Sequence, residues 1–240
     1  MGDVWRHRVS VPLAPGFFRP LTAVDPYFSS VLLLLHFDNG NGSTTFTDSS
    51  SYNRTMTSSG TQTNIDLKFG PSSYSPGTNS LYTSSSADFD MFGGDYTIEG
   101  WYKQSTDNLN TYQLYQQTVD VNNRVFVYNS LGTMYLGTVV SGVFNTYISG
   151  TTPAAGVGWY HFAQTKSGSS TRLFVAGTQF GSTSTTVSYP TGSNMKFAVG
   201  EEDTTPHFFF PGYIDDVRVT KGVARYTSNF TPPVSPFPNH

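Results

Sequence analysis

The stretch Tyr96-Thr97-Ile98-Glu99-Gly100-Trp101-Tyr102 carries the clearest strand pattern of this chain. Successive side chains of a strand point to opposite faces of a sheet, so residues two apart share a face. One face of this stretch is therefore expected to carry Tyr96, Ile98, Gly100 and Tyr102. The opposite face is expected to carry Thr97, Glu99 and Trp101.

A second alternating stretch covers residues 212–220. Here Asp215 falls in the same set as Val217 and Val219, and the pattern predicts that it points inward. No window shows the sustained 3.6-residue apolar period of a helix. Many short strands in a chain of 240 residues predict a single all-β sandwich or barrel. A short strand is also predicted at residues 124–128, where Val125 and Val127 alternate with Arg124, Phe126 and Tyr128. Further short strands are predicted within residues 31–37, 159–165, 172–175 and 196–199.

Composition excludes several classes of protein. Charged residues make up 12% of the chain, the net charge is −3, and no basic stripe occurs, which argues against nucleic-acid binding. The absence of cysteine excludes disulfides and thiolate metal sites. The apolar run at residues 31–35 is too short to span a bilayer, so no membrane insertion is expected. The first residues lack the apolar segment of a signal peptide, which predicts synthesis in the cytoplasm.

The first 27 residues differ from the rest in composition. Prolines recur at positions 12, 15, 20 and 26 and disfavour helix and central strand. The same segment is rich in apolar side chains, including Trp5, Phe17 and Phe18. We expect an extended arm over residues 1–27 that packs on a neighbouring subunit or covers the chain's own sheet. The proline-rich residues 230–238 are likewise expected to lie extended along the surface.

Several motifs, taken in order, are similar to those of a known family. They include residues 34–40 (LLHFDNG), 68–74 (KFGPSSY), 94–101 (GDYTIEGW), 158–163 (GWYHFA) and 212–226 (GYIDDVRVTKGVARY). Together they resemble laminin-G-like, concanavalin-A-like jelly-roll domains, in the variant found in virion proteins of tailed bacteriophages. The resemblance covers roughly residues 31–237. It implies a two-sheet antiparallel jelly-roll sandwich over residues 28–240, preceded by the arm.

The resemblance also implies a role. The expected protein is a non-enzymatic virion component displayed on the particle surface, as head decoration or cement or as tail fibre or adaptor. Its partners would be other virion proteins and further copies of itself, with a cyclic trimer favoured by analogy to virion projections. The alternative is a lectin-like module that binds a cell-surface glycan, and both roles can coexist if the domain aids host adsorption.

No catalytic constellation is evident in the sequence. Retaining glycoside hydrolysis needs two carboxyl groups about 5 Å apart, and the positions two and four residues after Glu99 are Trp101 and Lys103. No zinc motif, nucleophile elbow or phosphate-binding loop occurs. We therefore expect neither an enzyme nor a cofactor.

Three aspartates are the candidates for a structural calcium, which some relatives of this fold hold near the first and last strands. By that resemblance the ligands would be Asp38 with Asp215 or Asp216. Calcium takes six to eight oxygens, and no full set is evident. The alternative is that these carboxylates accept hydrogen bonds from backbone donors near strand ends.

Aromatic residues in or beside predicted loops are the candidates for a ligand or partner site. Such rings either stack on sugars or pack against a protein partner. The alternative is that the arm or the tail of the same chain covers them. The candidates are Tyr112, Tyr115, Tyr147, Phe208 and Phe209, in a set that also contains Tyr128 and Tyr135.

Overall fold

A computed structural model describes residues 24–58, 60–105, 111–192, 196–199 and 209–240. Within these ranges, strands alternate with turns, and the helical elements are two single 3-10 turns, Phe28–Ser30 and Ala87–Phe89. The described residues contain no helix of the length and apolarity needed to cross a membrane. In chain order the strands are β1 (Val31–Leu35), β2 (Met56–Ser58), β3 (Thr61–Thr63), β4 (Ser73–Ser75), β5 (Leu81–Thr83), β6 (Tyr96–Gln104), β7 (Tyr112–Asp120), β8 (Asn123–Ser130), β9 (Thr133–Val140), β10 (Val143–Thr151), β11 (Tyr160–Ser167), β12 (Ser170–Val175), β13 (Thr178–Ser184), β14 (Lys196–Val199) and β15 (Gly212–Lys221).

The strands form two antiparallel sheets. The eight-stranded sheet has the order β13-β12-β11-β6-β15-β4-β3, and β1 pairs with β15 beside this path. The seven-stranded sheet has the order β10-β9-β8-β7-β14-β5-β2. One large apolar core joins them and takes side chains from both sheets. The predicted fold, an all-β jelly-roll sandwich of two antiparallel sheets, is confirmed.

The alternation predicted for two central strands is also confirmed. Ile98 and Tyr102 of β6 enter the core from the eight-stranded sheet, and Val125 and Val127 of β8 enter it from the seven-stranded sheet. The intervening side chains of both strands therefore point away from the core. These outward-facing side chains form the outer surfaces of the two sheets.

In the first half of the last strand, the prediction of which side chains point to the core is wrong. In β15 the register shifts between Asp215, which pairs with Trp101, and Arg218, which pairs with Glu99, so three steps on β15 match two on β6. Such a bulge adds one residue and reverses the alternation. Asp216 adopts a φ of 48°, a left-handed conformation that Asp tolerates better than most residues. Ile214 thus enters the core with Val217 and Val219, and Asp215 faces outward.

A similar irregularity affects β7. The register shifts between Gln113 and Tyr115, so the side chains of Tyr112, Leu114 and Tyr115 all reach the core. The prediction that Tyr112 and Tyr115 lie in or beside loops and are available to a ligand is wrong. The glutamine-rich strand Tyr112–Asp120 lacks the apolar alternation that would have marked it as a strand.

Both ends of the described chain lie on the outer face of the eight-stranded sheet. Phe237 of the tail packs with Val31 and Leu34 of β1, and the tail contains no strand, as predicted. The backbone N–H of Asp25 donates to the carbonyl of His240 over 2.7 Å. Asp25 is itself buried, although it belongs to the predicted arm of residues 1–27. The last residues of that segment are thus integral to the sandwich.

Candidate functional site

The outer face of the seven-stranded sheet carries a group of aromatic side chains. Because the valines of β8 enter the core, Phe126 and Tyr128 point the opposite way. Strand register places Tyr135 of β9 opposite Tyr128, and Gly137 opposite Phe126. The edge strand β10 adds Phe144. We call Phe126, Tyr128, Tyr135 and Phe144 the aromatic face.

These four rings contact one another. Tyr128 and Tyr135 are stacked, with centroids 4.9 Å apart and ring planes 20° apart. Phe126 lies 5.4 Å from Tyr128 and 5.9 Å from Phe144 between centroids. A Cβ at Gly137 would lie 2.9 Å from the Phe126 ring and 3.2 Å from the Tyr128 ring, so the glycine leaves room for both. Phe126 is buried and Phe144 is 54% exposed, which gives a fixed base with an accessible outer ring.

A cleft of about 200 Å³ opens beside these rings. At about 30 Å³ for each water molecule, it has the volume of six or seven waters, on the scale of one sugar ring. No carboxylate is among the described residues that line it. These residues are Thr111, Gln113, Arg124, Phe126, Tyr128 and Phe144.

Two buried glutamines lie on the same face without full hydrogen bonding. Register pairs Gln113 with Tyr128 and Gln116 with Phe126, so all four side chains share the outer face. Oε1 of Gln113 and both amide atoms of Gln116 make no hydrogen bond to any described residue. A buried polar atom without a partner costs about 1–3 kcal/mol. Gln113, which lines the cleft, is therefore suited to hydrogen-bond a ligand.

The combination has a recognisable chemistry. Aromatic faces stack on the C–H surfaces of sugar rings, and amides exchange hydrogen bonds with hydroxyl groups. Burial raises the pKa of the Tyr128 hydroxyl, although its hydrogen bond with Thr146 opposes this effect. The phenol thus stays neutral at physiological pH. Among the described residues, this part of the surface offers binding groups and no acid–base pair for hydrolysis.

The outer face of the eight-stranded sheet is closed by ion pairs instead. Oε1 of Glu99 accepts hydrogen bonds from Nε and Nη2 of Arg218 at 2.9 and 2.7 Å, and Oε2 accepts one from the hydroxyl of Tyr226 at 2.8 Å. Oδ2 of Asp25 accepts from Nη1 of Arg218 at 3.0 Å and from Nη2 of Arg225 at 2.7 Å. We call these five residues the clamp, because they tie residue 25 and the segment after β15 to the sheet.

The clamp holds its carboxylates ionised. Burial alone would raise the pKa of Glu99, but the nearby Arg218, His161 and Arg225 outweigh it and lower that pKa to about 2. The pKa of Asp25 is lowered as well, because its bonds to Arg225 and Tyr27 and the charge of Arg218 outweigh desolvation. Glu99, the one strand carboxylate considered for hydrolysis, is thus fully occupied as an ion-pair partner.

The three predicted calcium ligands have different surroundings in the structure. Oδ2 of Asp215 accepts the backbone N–H groups of Lys68 and Phe69 at 3.2 and 3.0 Å. Asp216 binds Nδ1 of His36 at 2.6 Å and the N–H of Phe237 at 2.8 Å, while Asp38 is exposed. The described part of the chain contains no group of three or more His, Cys, Asp or Glu residues that could hold a metal ion. The alternative role, acceptance of backbone hydrogen bonds, describes both Asp215 and Asp216.

The remaining predicted site residues are dispersed. The Tyr112 hydroxyl hydrogen-bonds Gln104 and that of Tyr115 hydrogen-bonds Gln164, both inside the core. Tyr147 lies on β10, partly buried against the core, and its hydroxyl accepts the N–H of Ser188 at 3.1 Å. Phe209 is half-buried beside the fully buried Phe210. Four predicted residues lie outside the described ranges: Trp5, Phe17, Phe18 and Phe208.

Sequence reasoning found half of the aromatic face. Tyr128 and Tyr135 were among the candidate aromatics, whereas Phe126 and Phe144 were not. The alternation of residues 124–128 already placed Phe126 with Tyr128 and opposite the two valines, and this was the signal that could have found it. Nothing in the sequence marked Gln113 and Gln116, since their burial depends on the pairing of β7.

Comparison with known proteins agrees with the architecture. Residues 76–225 match the family model described as concanavalin A-like lectin/glucanases superfamily, of the laminin G type. No curated protein matches the chain in sequence. The fold and this match define a jelly-roll domain of the lectin and glucanase type. The chain belongs to the concanavalin A-like lectin/glucanases superfamily.

Similar solved structures include domain 4 of AbnA, an extracellular GH43 arabinanase from Geobacillus stearothermophilus, in complex with arabinotriose. It shares 20% identity over 81% of this chain and 94% of its own, with a TM-score of 0.61. Botulinum neurotoxin type C, whose cell entry depends on two ganglioside molecules, shares 15% identity over 82% of this chain, with a TM-score of 0.58. The binding domain of botulinum neurotoxin DC in complex with rat synaptotagmin II shares 15% identity over 82% of this chain, with a TM-score of 0.61. This chain covers 49% of each of the two neurotoxin chains.

Proposed function

We propose that this domain is a non-catalytic carbohydrate-binding module that holds a glycan on its aromatic face. The observation that carries the proposal is the junction of accessible rings with buried, unpartnered amides on one sheet surface. Rings supply contact area for sugar C–H groups, and the amides supply hydrogen bonds that the protein itself leaves unmade. A surface of this composition gains more from a hydroxyl-rich ligand than from a purely apolar one.

Two of the similar structures support this proposal in a general way. The arabinanase domain was solved with arabinotriose, and the type C neurotoxin depends on gangliosides. At 20% identity or less the likeness concerns the fold, so the residues of this chain carry the specific claim. The support is that a sandwich of this shape serves carbohydrate recognition elsewhere.

The test is a glycan array followed by calorimetry with the best ligand. Phe144→Ala should weaken binding at least ~10-fold, which corresponds to about 1.4 kcal/mol, because it removes the exposed ring of the face. Tyr52→Ala is the matched control, since Tyr52 is 45% exposed against 54% for Phe144 and lies outside the aromatic face. Equal affinity for both variants, or no bound glycan on a broad array, would refute the proposal.

We propose in addition that the domain is displayed on a virion, with residues 1–23 as its attachment. The supporting geometry is that residue 24 and the tail lie on the outer face of the eight-stranded sheet, opposite the aromatic face. An arm that leaves from there would hold the domain with its glycan-binding face outward. The bacteriophage-like motifs of the sequence support the same assignment.

Deletion of residues 1–23 tests the display role. The shortened domain should stay folded, should no longer co-purify with particles, and should change in light scattering from an oligomer, expected to be a trimer, to a monomer. Unchanged incorporation into particles by the shortened chain would remove the basis of the display role.

A further inference from the structure

We infer that the cleft beside the aromatic face takes the acetamido group of an N-acetylated sugar, and that Gln113 is the residue that selects it. This inference rests on the proposed carbohydrate-binding function and names its ligand class. The feature that carries it is the juxtaposition, in one cleft, of three aromatic rings with a buried amide oxygen that has no hydrogen bond.

The sheet determines where the Gln113 side chain lies. Gln113 pairs with Tyr128 across β7 and β8, and the Cβ atoms of directly opposite residues lie about 4.5–5.5 Å apart. The side chain is 3% exposed and lines the cleft, so a ligand in the cleft meets an amide that the protein otherwise covers. Its Oε1 accepts no hydrogen bond from a described residue.

The two hydroxyl groups of the lining, by contrast, already have partners. Oγ1 of Thr111 lies 3.1 Å from Oγ of Ser130, and the Tyr128 hydroxyl is hydrogen-bonded to Thr146. The atom without a partner at Gln113 is an amide oxygen, which accepts hydrogen bonds and donates none. It is therefore satisfied by a ligand that brings an N–H or O–H donor.

The aromatic rings favour the N–H donor over the O–H donor. Phe126, Tyr128 and Phe144 line the cleft with Gln113, so a group that enters it lies against aromatic carbon on several sides. A hydroxyl oxygen that donates to Oε1 keeps two lone pairs, which lose water beside these rings. An acetamido nitrogen keeps no acceptor, and the methyl group of the same substituent gains from apolar contact.

The remaining parts of such a sugar fit the same surface. The amide bond is planar and trans, so its carbonyl points away from its N–H and hence away from Gln113. Phe144, which is 54% exposed, is then left to stack on the sugar ring that carries the acetamido group. An acetamido sugar therefore uses both the apolar and the polar part of the cleft.

The experiment compares, by calorimetry, sugars that differ in this substituent. One arm sets tri-N-acetylchitotriose against cellotriose, and the other sets methyl N-acetylgalactosaminide against methyl galactoside, so that two ring configurations are covered. In at least one arm the wild-type protein should bind the acetamido sugar at least ~10-fold more tightly, because a hydrogen bond and a buried methyl group are gained together.

A 2-O-acetyl analogue of the better ligand isolates the hydrogen bond. It replaces the acetamido N–H by an ester oxygen and keeps the carbonyl and the methyl group. The wild-type protein should bind this ester at least ~3-fold more weakly than the amide, because the donor to Oε1 is lost. Gln113→Leu, which lacks Oε1, should bind the amide and the ester about equally.

Gln116→Leu is the matched control. Gln116 lies on the same strand and the same outer face, is buried, and has two amide atoms without a hydrogen bond. It is not, however, among the described residues that line the cleft. This variant should keep the wild-type ratio of amide to ester binding. A melting curve for each variant shows whether it is folded, and the comparison on the wild-type protein needs no variant.

The outcomes separate the two proposals. Equal binding of acetamido and hydroxyl sugars in both arms overturns the acetamido inference and leaves the glycan-binding function standing. Equal binding of amide and ester by the wild-type protein also overturns it, as does a preference for the amide that survives in Gln113→Leu. Absence of binding to every glycan tested refutes both proposals.

Discussion

The two sheets of this sandwich present contrasting outer faces. On the eight-stranded sheet, Glu99 and Asp25 are buried and matched by Arg218 and Arg225, and both ends of the described chain lie over them. On the seven-stranded sheet the outer face carries exposed rings and buried amides whose hydrogen-bonding groups stay unmatched. One face is completed by the chain itself, and the other leaves an accessible ring and a cleft beside an amide without a hydrogen bond.

Access, as well as pairing, distinguishes the two faces. The covered face also holds an atom without a hydrogen bond, Nδ1 of His161, whose Nε2 lies 3.4 Å from Oε2 of Glu99. There, however, the rings of Tyr226, Phe230 and Phe237 lie edge-on to that histidine, 5.5 to 6.4 Å between centroids, and shield it from a ligand. A buried polar atom without a hydrogen bond indicates a binding site only where a cleft reaches it, as at Gln113.

The largest effect is expected from breaking the clamp with Glu99→Gln. This change leaves Arg218 buried with one carboxylate fewer, and breaking a buried pair costs about 3–5 kcal/mol. The melting temperature should fall by about 6–20 °C, since each kcal/mol moves a domain of this size by about 2–4 °C. The control is Asp120→Asn on an exposed turn, where an amide oxygen can still accept the N–H of Asn122. A fall of under about 2 °C for Glu99→Gln would show that the clamp contributes little.

The next effect concerns where the sandwich begins. A chain that starts at residue 28 lacks Asp25, so Arg218 and Arg225 share the single carboxylate of Glu99, and we expect a loss of about 2–3 kcal/mol. A chain that starts at Val24 keeps these ion pairs and should unfold like the full-length protein. Urea unfolding of the three chains measures the difference. Equal stability of the two shortened chains would place residues 24–27 outside the folded domain.

The fold was predictable because its central strands alternate. The pattern of residues 96–102 and 124–128 grouped these side chains by face as the structure has them, and the two-sheet jelly roll followed from the number of short strands and the family resemblance. Half of the aromatic face follows from the same alternation. The clamp did not follow, because Asp25 and Glu99 are 74 positions apart and meet only once the sheet and the tail are in place.

Bulges set the limit of this reasoning. One extra residue near Asp216 and another near Leu114 reverse the facing of the side chains that follow, and neither bulge leaves a mark in the hydrophobic pattern. For this reason Asp215 was assigned to the core, whereas Tyr112 and Tyr115 were assigned to a ligand site because their strand lacks apolar alternation. The burial of Gln113 and Gln116 depends on the pairing of β7 with β8 and could not be predicted from the sequence either.

A smaller effect is expected from pH. Burial raises the pKa of Asp215 to about 8, with its backbone hydrogen bonds opposing this, against 3.8 for the unperturbed group. Between pH 4 and 8 the folded state therefore binds a proton that the unfolded chain releases, and stability falls as pH rises through this range. The pKa of His36 is raised too, which adds a decline of the same sign above its ordinary value of 6.5. Asp215→Asn, whose amide oxygen can accept the same backbone donors, should reduce the difference in urea unfolding between pH 5 and pH 8. An unchanged difference in this variant would mean that Asp215 does not titrate as described.

The smallest effect on stability, and the most direct probe of the aromatic face, is expected from Gly137→Ala. The new methyl group would lie 2.9 Å from the Phe126 ring and 3.2 Å from the half-buried Tyr128 ring, so these rings must shift by a few tenths of an ångström. We expect a loss of under about 1 kcal/mol in unfolding, with a several-fold weaker affinity for the glycan because the rings change position. Gly100→Ala is the matched control: its methyl group would lie 3.0 Å from Phe162 and Val217 in the core, where overpacking costs about 1–3 kcal/mol. That variant should melt lower and bind the glycan as the wild-type protein does. If Gly100→Ala lost glycan binding and Gly137→Ala kept it, the ligand would not be held by the outer face of the seven-stranded sheet.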